Sequence, residues 1–137
     1  MFFFKKREKK IIETSWKIKN KTLGLIMECA KSNYPNEFGG FLRVDEKNKG
    51  IISELVLLPG TISGDSHAIF RMHMMPVDFN IVGTVHSHPS PFSNPSDADL
   101  HLFRKHGRIH IIAAQPYDNK SWQGYGFKGD RVDIEVI

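Results

Sequence analysis

The sequence predicts an α/β (α+β) fold in which a mixed β-sheet is flanked by helices. The first observation is the count of elements, because about eight short segments have strand character and two longer ones have helical spacing. The second is the length of 137 residues, which suits one domain with enough chain to bury a core. The third is a composition of 40% hydrophobic and 25% charged residues, which is ordinary for a soluble globular protein.

The chain is expected to consist of a basic N-terminal tail, residues 1–10, and one domain, residues 11–137. The apolar part of the tail precedes its charges and is too short for a secretory signal. No apolar run reaches the roughly 20 residues that span a bilayer. Much of the net charge of +4 lies in the tail, without the clustering typical of a nucleic-acid-binding face. The single cysteine, Cys29, excludes an internal disulfide. We therefore expect a cytoplasmic protein with no membrane or nucleic-acid partner.

The first half of the chain contains one predicted helix among three predicted strands. A weak apolar alternation indicates a strand over residues 11–18. Apolar residues at helical spacing predict a helix over residues 22–31, which must end before Pro35 because the residue preceding a proline avoids the helical conformation. Two further strands, 38–44 and 51–58, flank a charged turn and therefore indicate a hairpin.

The second half contains five further predicted strands and one helix, each bounded by turn-forming residues. They are strands 68–72, 81–85 and 108–114, a closing hairpin of 121–128 with 132–137, and helix 96–106. Two histidines in this half are not expected to bind a metal. Nothing in the spacing of His73 supports a ligand role, and His110 within an apolar strand fits a hydrogen-bonded core residue. The methionine-rich stretch 72–75 is read as partly buried core, with an adaptable peptide-binding surface as the alternative.

Two histidines follow the apolar strand 81–85. Alternate residues of a strand face the same side of the sheet, so the imidazoles of His86 and His88 are expected to point the same way. Such a pair can hold one divalent ion but leaves the ion short of ligands. The alternative is that both are ordinary surface or core histidines, since His-x-His alone is a common pattern.

The segment after the histidines can supply the missing ligand. A Pro- and Ser-rich loop leads into helix 96–106, with Asn94 or Ser96 as its cap and Pro95 in its first turn. Ser96 and Asp99 are three residues apart and share a helix face, whereas Asp97 points elsewhere. A loop that folds back would bring Ser96 and Asp99 to the histidine pair. The alternative is that Ser-x-x-Asp is only a capping motif.

Two histidines and one carboxylate make three protein ligands. Catalytic zinc sites have this number and keep a further position for water, whose pKa falls to about 7 and which becomes a usable nucleophile. A hydrolase also needs a proton carrier, and Glu37 is the candidate because it opens a predicted strand just before two glycines that permit close approach. The alternative is that Glu37 is a solvated turn residue.

These segments together closely resemble the signature of the JAMM (MPN-plus) metalloprotease family. The resemblance extends from about Ser15 to the last strand, and its elements occur in the family's order and at its spacing. One departure is Gly39, where many relatives carry a cysteine or another side chain. The motifs that carry the resemblance are Pro35-Asn36-Glu37 with Gly40-Phe41-Leu42, His86-Ser87-His88-Pro89, and Pro95-Ser96-x-x-Asp99.

The resemblance implies a role for each polar residue of the motif. His86, His88 and Asp99 would bind one Zn²⁺ per chain. Glu37 would be the general acid/base, and Ser96 would support the oxyanion. The implied activity is that of a zinc-dependent peptidase or isopeptidase, and the implied fold resembles that of the cytidine deaminases.

The family also implies a class of substrate. Its members remove ubiquitin or ubiquitin-like modifiers, or process small β-grasp proteins with a C-terminal Gly-Gly, including sulfur carriers. The chain resembles a bare catalytic core, which favours a stand-alone prokaryotic enzyme. A Gly-Gly tail is expected to add as a strand to an exposed sheet edge, for which residues 68–74 are the candidate.

Two other functions remain open at this point. One is a non-catalytic MPN-type scaffold, although such relatives have lost ligands that are all present here. The other is a RadC-like, DNA-associated role. The RadC pattern usually has Asn between the histidines and then Pro-Ser-Gly, whereas this chain has Ser87 and Pro89-Ser90-Pro91.

Overall fold

An eight-stranded sheet with two helices forms the part of the chain that the computed structural model describes, residues 15–57 and 78–137. Each strand has at most seven residues, and the two helices have 14 and 9. The strands are β1 Trp16–Ile18, β2 Gly39–Val44, β3 Ile51–Val56, β4 Ile81–Ser87, β5 Ile109–Ala113, β6 Trp122–Gly126, β7 Arg131–Val132 and β8 Ile134–Val136, and the helices are α1 Asn20–Asn33 and α2 Asp97–Lys105.

The sheet is mixed, with strand order β7-β6-β5-β4-β2-β3-β1-β8. β2 pairs antiparallel with both β3 and β4, whereas β4 and β5 are parallel. Helix α2 makes the crossover between these two parallel strands, as parallel pairing requires a long connection. A mixed sheet flanked by helices is therefore confirmed, as is the β2–β3 hairpin.

The last strand is where the sequence-based prediction is wrong. The closing hairpin with β6 contains only β7, while β8 pairs in parallel with β1 at the other end of the sheet. Only Asp133 separates β7 from β8, so the sheet must curl until its two ends approach each other. Gly124 permits this, since a Cβ there would lie 2.6 Å from Cδ1 of Ile134.

Helix α1 covers one face of the sheet. The helical spacing seen in the sequence is confirmed, because Leu23, Ile26, Met27 and Ala30 are all buried. They join a core cluster that takes residues from β1 to β5. Burying this apolar stripe stabilises the helix by roughly 25 cal/mol per Å² removed from water. Its buried partners on the sheet include Ile18, Leu42, Val44, Ile52, Val85, Ile109 and Ile111.

Helix α2 covers the opposite face. Leu102 packs with Phe41, and Phe103 packs with Ile112 and Tyr125. The helix ends at a left-handed Gly107, with φ of +125°. A Cβ there would lie 2.2 Å from the Val82 carbonyl oxygen, so glycine lets the chain return directly beside β4.

Several predictions fall on parts of the chain outside the described residues. Of predicted strand 11–18, only β1 Trp16–Ile18 is described. Strand 68–72, the methionine-rich stretch, His73 and the candidate edge 68–74 all lie outside, and the division at residue 10 stays a prediction. Neither helix of the described ranges has the length and apolar character needed to cross a membrane.

Candidate metal centre

The end of β4 places two histidines on the α2 face of the sheet. β4 lies between β2 and β5, and His86 is fully buried opposite Gly39 on one side and Ile112 on the other. His88 lies one residue beyond the strand, where its backbone N–H donates to the Ala113 carbonyl at 2.8 Å. The two ring centroids are 5.2 Å apart, which confirms that both imidazoles face the same way.

Helix α2 brings a carboxylate to the histidines. Asp99 is 1% exposed, its Oδ1 lies 3.0 Å from Nε2 of His86, and its Oδ2 lies 3.0 Å from Nε2 of His88. Ser96 is the N-cap, not Asn94, and Pro95 precedes the helix instead of lying in its first turn. Asp97 is exposed and outside the group, as its place on the helix predicts.

Asp99 belongs to both the capping motif and the metal-binding group. The Asp99 N–H donates to Ser96 Oγ at 3.1 Å, and the Ser96 N–H donates to Asp99 Oδ2 at 2.9 Å. This reciprocal capping box satisfies two backbone donors at the helix start and fixes the orientation of the carboxylate. The two interpretations of Ser-x-x-Asp are therefore compatible.

The three side chains are positioned to bind a metal ion. One potential ligand atom from each of His86, His88 and Asp99 lies within 4.8 Å of the others. A tetrahedral zinc site with metal–nitrogen distances of about 2.0–2.1 Å has ligand atoms roughly 3.3 Å apart, close to the 3.0 Å separations here. Two imidazoles and one carboxylate are a donor set consistent with Zn²⁺.

A hydrogen bond sets which nitrogen of His88 faces the group. The Nδ1–H donates to the Phe92 carbonyl at 2.9 Å, so Nε2 is the nitrogen that faces Asp99. Burial alone would lower the pKa of His88. The hydrogen bonds to Asp99 and Phe92 and the charges of Asp99 and Glu37 outweigh burial, so the pKa is raised.

Glu37 lies two residues before β2, which begins at Gly39. In the β2–β4 pair, Gly39 lies opposite His86, and continuing the antiparallel register by two residues sets Glu37 opposite His88. Side chains alternate along an extended chain, so this register favours the metal-binding face for Glu37. The carboxylate is half-buried, and its charge contributes to the raised pKa of His88. This charge effect on His88 is what relates Glu37 to the metal-binding group, and the catalytic role of Glu37 stays a prediction.

Position 40 requires a glycine because β3 packs closely against it. A Cβ there would lie 2.9 Å from Cδ1 of Leu55 and 3.1 Å from the Val56 carbonyl oxygen. Gly40 therefore accommodates the neighbouring strand β3. The expectation that the glycines permit close approach is confirmed here, and the group that approaches Gly40 is the backbone and side chains of β3.

Ser96 is exposed beside the buried Asp99. Its oxygen accepts the Asp99 N–H, but a hydroxyl group also has one proton to donate. The capping bond therefore leaves Ser96 able to donate a hydrogen bond to a substrate oxygen.

Two buried tyrosines that the sequence did not single out hold the loop between His88 and the helix. The hydroxyl of Tyr117 donates to the His88 carbonyl at 2.8 Å, and that of Tyr125 donates to the Ser93 carbonyl at 2.7 Å. Both rings are at most 4% exposed. Each tyrosine supports the loop through a hydrogen bond to a residue distant in sequence, so no local sequence pattern identifies it.

His110 is a core histidine, as its sequence context predicts. Its Nδ1 lies 2.7 Å from Thr84 Oγ1, its Nε2 lies 3.0 Å from the Gly107 carbonyl, and its ring stacks on Phe103 at 4.4 Å. Burial lowers the pKa of His110 to about 4. The ring is therefore neutral at pH 7, with Nε2–H as the donor to Gly107 and Nδ1 as the acceptor from Thr84.

Residues 19–125 of the chain match the family model described as prokaryotic homologues of the JAB domain. A protein of Haloferax volcanii named "Probable metalloprotease" is 34% identical over 122 residues, which are 84% of this chain and 75% of that relative.

Solved structures agree with this match. A JAB1/MPN domain protein from Archaeoglobus fulgidus has a TM-score of 0.70 and 39% identity over 88% of this chain and 98% of its own. A structure described as "JAMM: A Metalloprotease-like Zinc Site in the Proteasome and Signalosome" also has a TM-score of 0.70 and 39% identity. The match covers 90% of this chain and 99% of the other. A Desulfitobacterium hafniense protein shares the fold alone. Its TM-score is 0.57 and its identity 16%, over 88% of this chain and 92% of its own. The chain belongs to the prokaryotic JAB-domain family, and so to the JAMM metalloproteases that its motifs resemble.

Proposed function

We propose that this chain is a zinc-dependent peptidase or isopeptidase that cleaves the amide bond after the C-terminal Gly-Gly tail of ubiquitin-like modifier or sulfur-carrier proteins. The broader class follows from its family, since the chain is a JAMM-type zinc metalloprotease. One observation carries the proposal, namely the convergence of His86, His88 and Asp99 beside the strand end that bears Glu37.

His86, His88 and Asp99 would hold the zinc ion through two Nε2 atoms and one carboxylate oxygen. When bound, zinc polarises a carbonyl oxygen and makes water nucleophilic near neutral pH. The contribution of the chain is a rigid ligand set. His86 is fixed within a central strand, His88 by the Phe92 and Tyr117 hydrogen bonds, and Asp99 by the capping box.

Glu37 would carry the proton. It takes a proton from the attacking water and delivers it to the leaving amine, so its carboxylate must reach both groups. Two observations support this role: the charge of Glu37 contributes to the raised pKa of His88, and the residue is half-buried. A carboxylate that bound the metal directly would be unable to shuttle a proton, and Glu37 is outside the His86, His88 and Asp99 set.

Ser96 would stabilise the oxyanion of the tetrahedral intermediate. Its hydroxyl is exposed next to Asp99 and retains a proton to donate. A single donor of this kind lowers the barrier by about 2.7–4 kcal/mol in enzymes that cleave acyl bonds.

The Gly-Gly substrate class is supported by the family resemblance and by the chemistry of the tail. Two glycines have no side chains, so an extended tail can approach a metal at the end of a sheet without steric conflict. Such a tail can pair with a sheet edge through its backbone, in the manner of strand addition. The protein that carries the tail would be the partner of the enzyme.

The test is cleavage of a β-grasp protein whose Gly-Gly tail is joined to lysine through an isopeptide bond. The matched control substrate has Ala-Ala in place of Gly-Gly. We expect cleavage of the Gly-Gly substrate alone, loss of cleavage with chelator, and recovery with added Zn²⁺. Cleavage that persists in chelator would contradict the metal mechanism, and equal cleavage of both substrates would contradict the Gly-Gly preference.

A further inference from the structure

A buried serine between the two histidine ligands binds the strand end that carries Glu37. Ser87 is fully buried, and its Oγ accepts the Phe38 N–H at 2.8 Å. The Ser87 N–H in turn donates to the Phe38 carbonyl at 2.9 Å. One residue of β4 therefore satisfies both backbone polar groups of Phe38.

The hydroxyl takes the place of a backbone acceptor. In a hydrogen-bonded antiparallel pair, the two residues exchange two N–H···O=C bonds. Here the backbone supplies one of these bonds, and Ser87 Oγ supplies the acceptor for the other. An alanine at this position would leave the Phe38 N–H without its acceptor in a buried environment.

Ser87 acts from the face opposite the metal centre. Its side chain alternates with those of His86 and His88, so it points towards the α1 side of the sheet. Phe38 is 1% exposed and belongs to the core cluster on that side. The Phe38 ring and the Ser87 hydrogen bond thus hold the backbone at residue 38, directly after Glu37.

We propose that Ser87 is a positioning residue for Glu37. Its hydroxyl fixes the peptide that follows Glu37, so that the carboxylate stands at the metal ligands during proton transfer. This role rests on the proposed function, because it requires Glu37 to be the proton carrier. Loss of the hydroxyl should then lower turnover without loosening the metal.

The test compares Ser87→Ala with Ser87→Thr, which keeps a hydroxyl. The matched control is Thr22→Val, since Thr22 is buried in α1 and its Oγ1 donates to the Ser53 carbonyl at 2.8 Å, away from the ligands. We expect Ser87→Ala to lower kcat at least tenfold on the Gly-Gly substrate, with unchanged KM and one Zn²⁺ per chain. Ser87→Thr should recover most of the turnover, and Thr22→Val should match the wild type.

Hydrogen exchange and NMR give a readout that does not depend on activity. In Ser87→Ala, the Phe38 amide should exchange at least tenfold faster and the Glu37 carboxylate carbon signal should shift, while Thr22→Val changes neither. Three results in Ser87→Ala would overturn the positioning role. They are wild-type turnover, an unmoved Glu37 signal, and loss of zinc together with activity. A wild-type enzyme that cleaves no Gly-Gly substrate would instead overturn the proposed function, and the Glu37 signal would still decide whether Ser87 positions that carboxylate.

Discussion

Asp99 Oδ2 accepts the Ser96 N–H at 2.9 Å while lying 3.0 Å from Nε2 of His88. One carboxylate oxygen therefore belongs both to the cap of α2 and to the metal-binding group. The helix start and the ligand geometry depend on each other, because any movement of the first turn moves the carboxylate. The positive end of the helix dipole also favours an anionic group at this place.

Asp99→Asn should separate these two roles. The amide oxygen can still accept the Ser96 N–H, so α2 should remain, but the neutral group is a poor ligand. We expect zinc affinity to fall at least about a hundredfold, since loss of a ligand should exceed the 10–100-fold cost of losing a residue that only supports one. Competition with a chromogenic chelator measures the affinity. Asp97→Asn is the control, because Asp97 is exposed in the same turn, and a similar loss there would contradict a specific role for Asp99.

Glu37→Ala and His88→Ala should differ in what they lose. Glu37→Ala should keep zinc and lose about 10²–10⁴-fold in kcat, the range of general acid–base catalysis. His88→Ala should lose both, because it removes a ligand atom. Metal analysis of the purified variants, together with turnover of the Gly-Gly substrate, checks both outcomes. Glu28→Ala provides the control, since that carboxylate is exposed on α1. Cleavage by Glu37→Ala at the wild-type rate would show that another group carries the proton.

The metal ligands could be predicted from sequence because their spacing is local. A strand places His86 and His88 on one face, and a helix places Ser96 and Asp99 on one face, so each pair follows from periodicity alone. How the two pairs meet depends on the loop between them. Tyr117 and Tyr125 hold that loop through contacts 29 and 32 residues apart, which no local pattern encodes.

The position of Glu37 and the end of the sheet depend on long-range pairing. The backbone next to Glu37 is held beside β4 because Phe38 pairs with Ser87, 49 residues further along the chain. The family motif implies a catalytic role for Glu37, whereas local spacing alone leaves it open as a turn residue. The final apolar segment was predicted as one strand because alternation indicates a strand but not its partner. Asp133 divides it, and Ile134–Val136 crosses to β1.

Ser96→Ala should reduce both stability and turnover, by separable amounts. Loss of an N-cap hydroxyl costs about 1 kcal/mol of unfolding free energy, which leaves a stable domain almost fully folded. Loss of an oxyanion donor costs about 10²–10³-fold in kcat. Urea unfolding measures the first and turnover of the Gly-Gly substrate the second. Ser96→Thr, which keeps the hydroxyl, should restore both. A stability loss with unchanged kcat would mean that Ser96 is only a cap.

His110→Gln should reduce the acid sensitivity of the fold. Burial lowers the pKa of His110 from 6.5 to about 4, with the charges of His86 and His106 adding to the effect. Between these values the unfolded chain binds a proton that the native state does not, so stability falls as pH drops from about 6.5 to 4. For this group the loss between pH 7 and pH 5 is about 2 kcal/mol. Urea unfolding of metal-free wild type and variant should differ in pH dependence by this amount, and identical pH dependence would contradict a neutral buried His110.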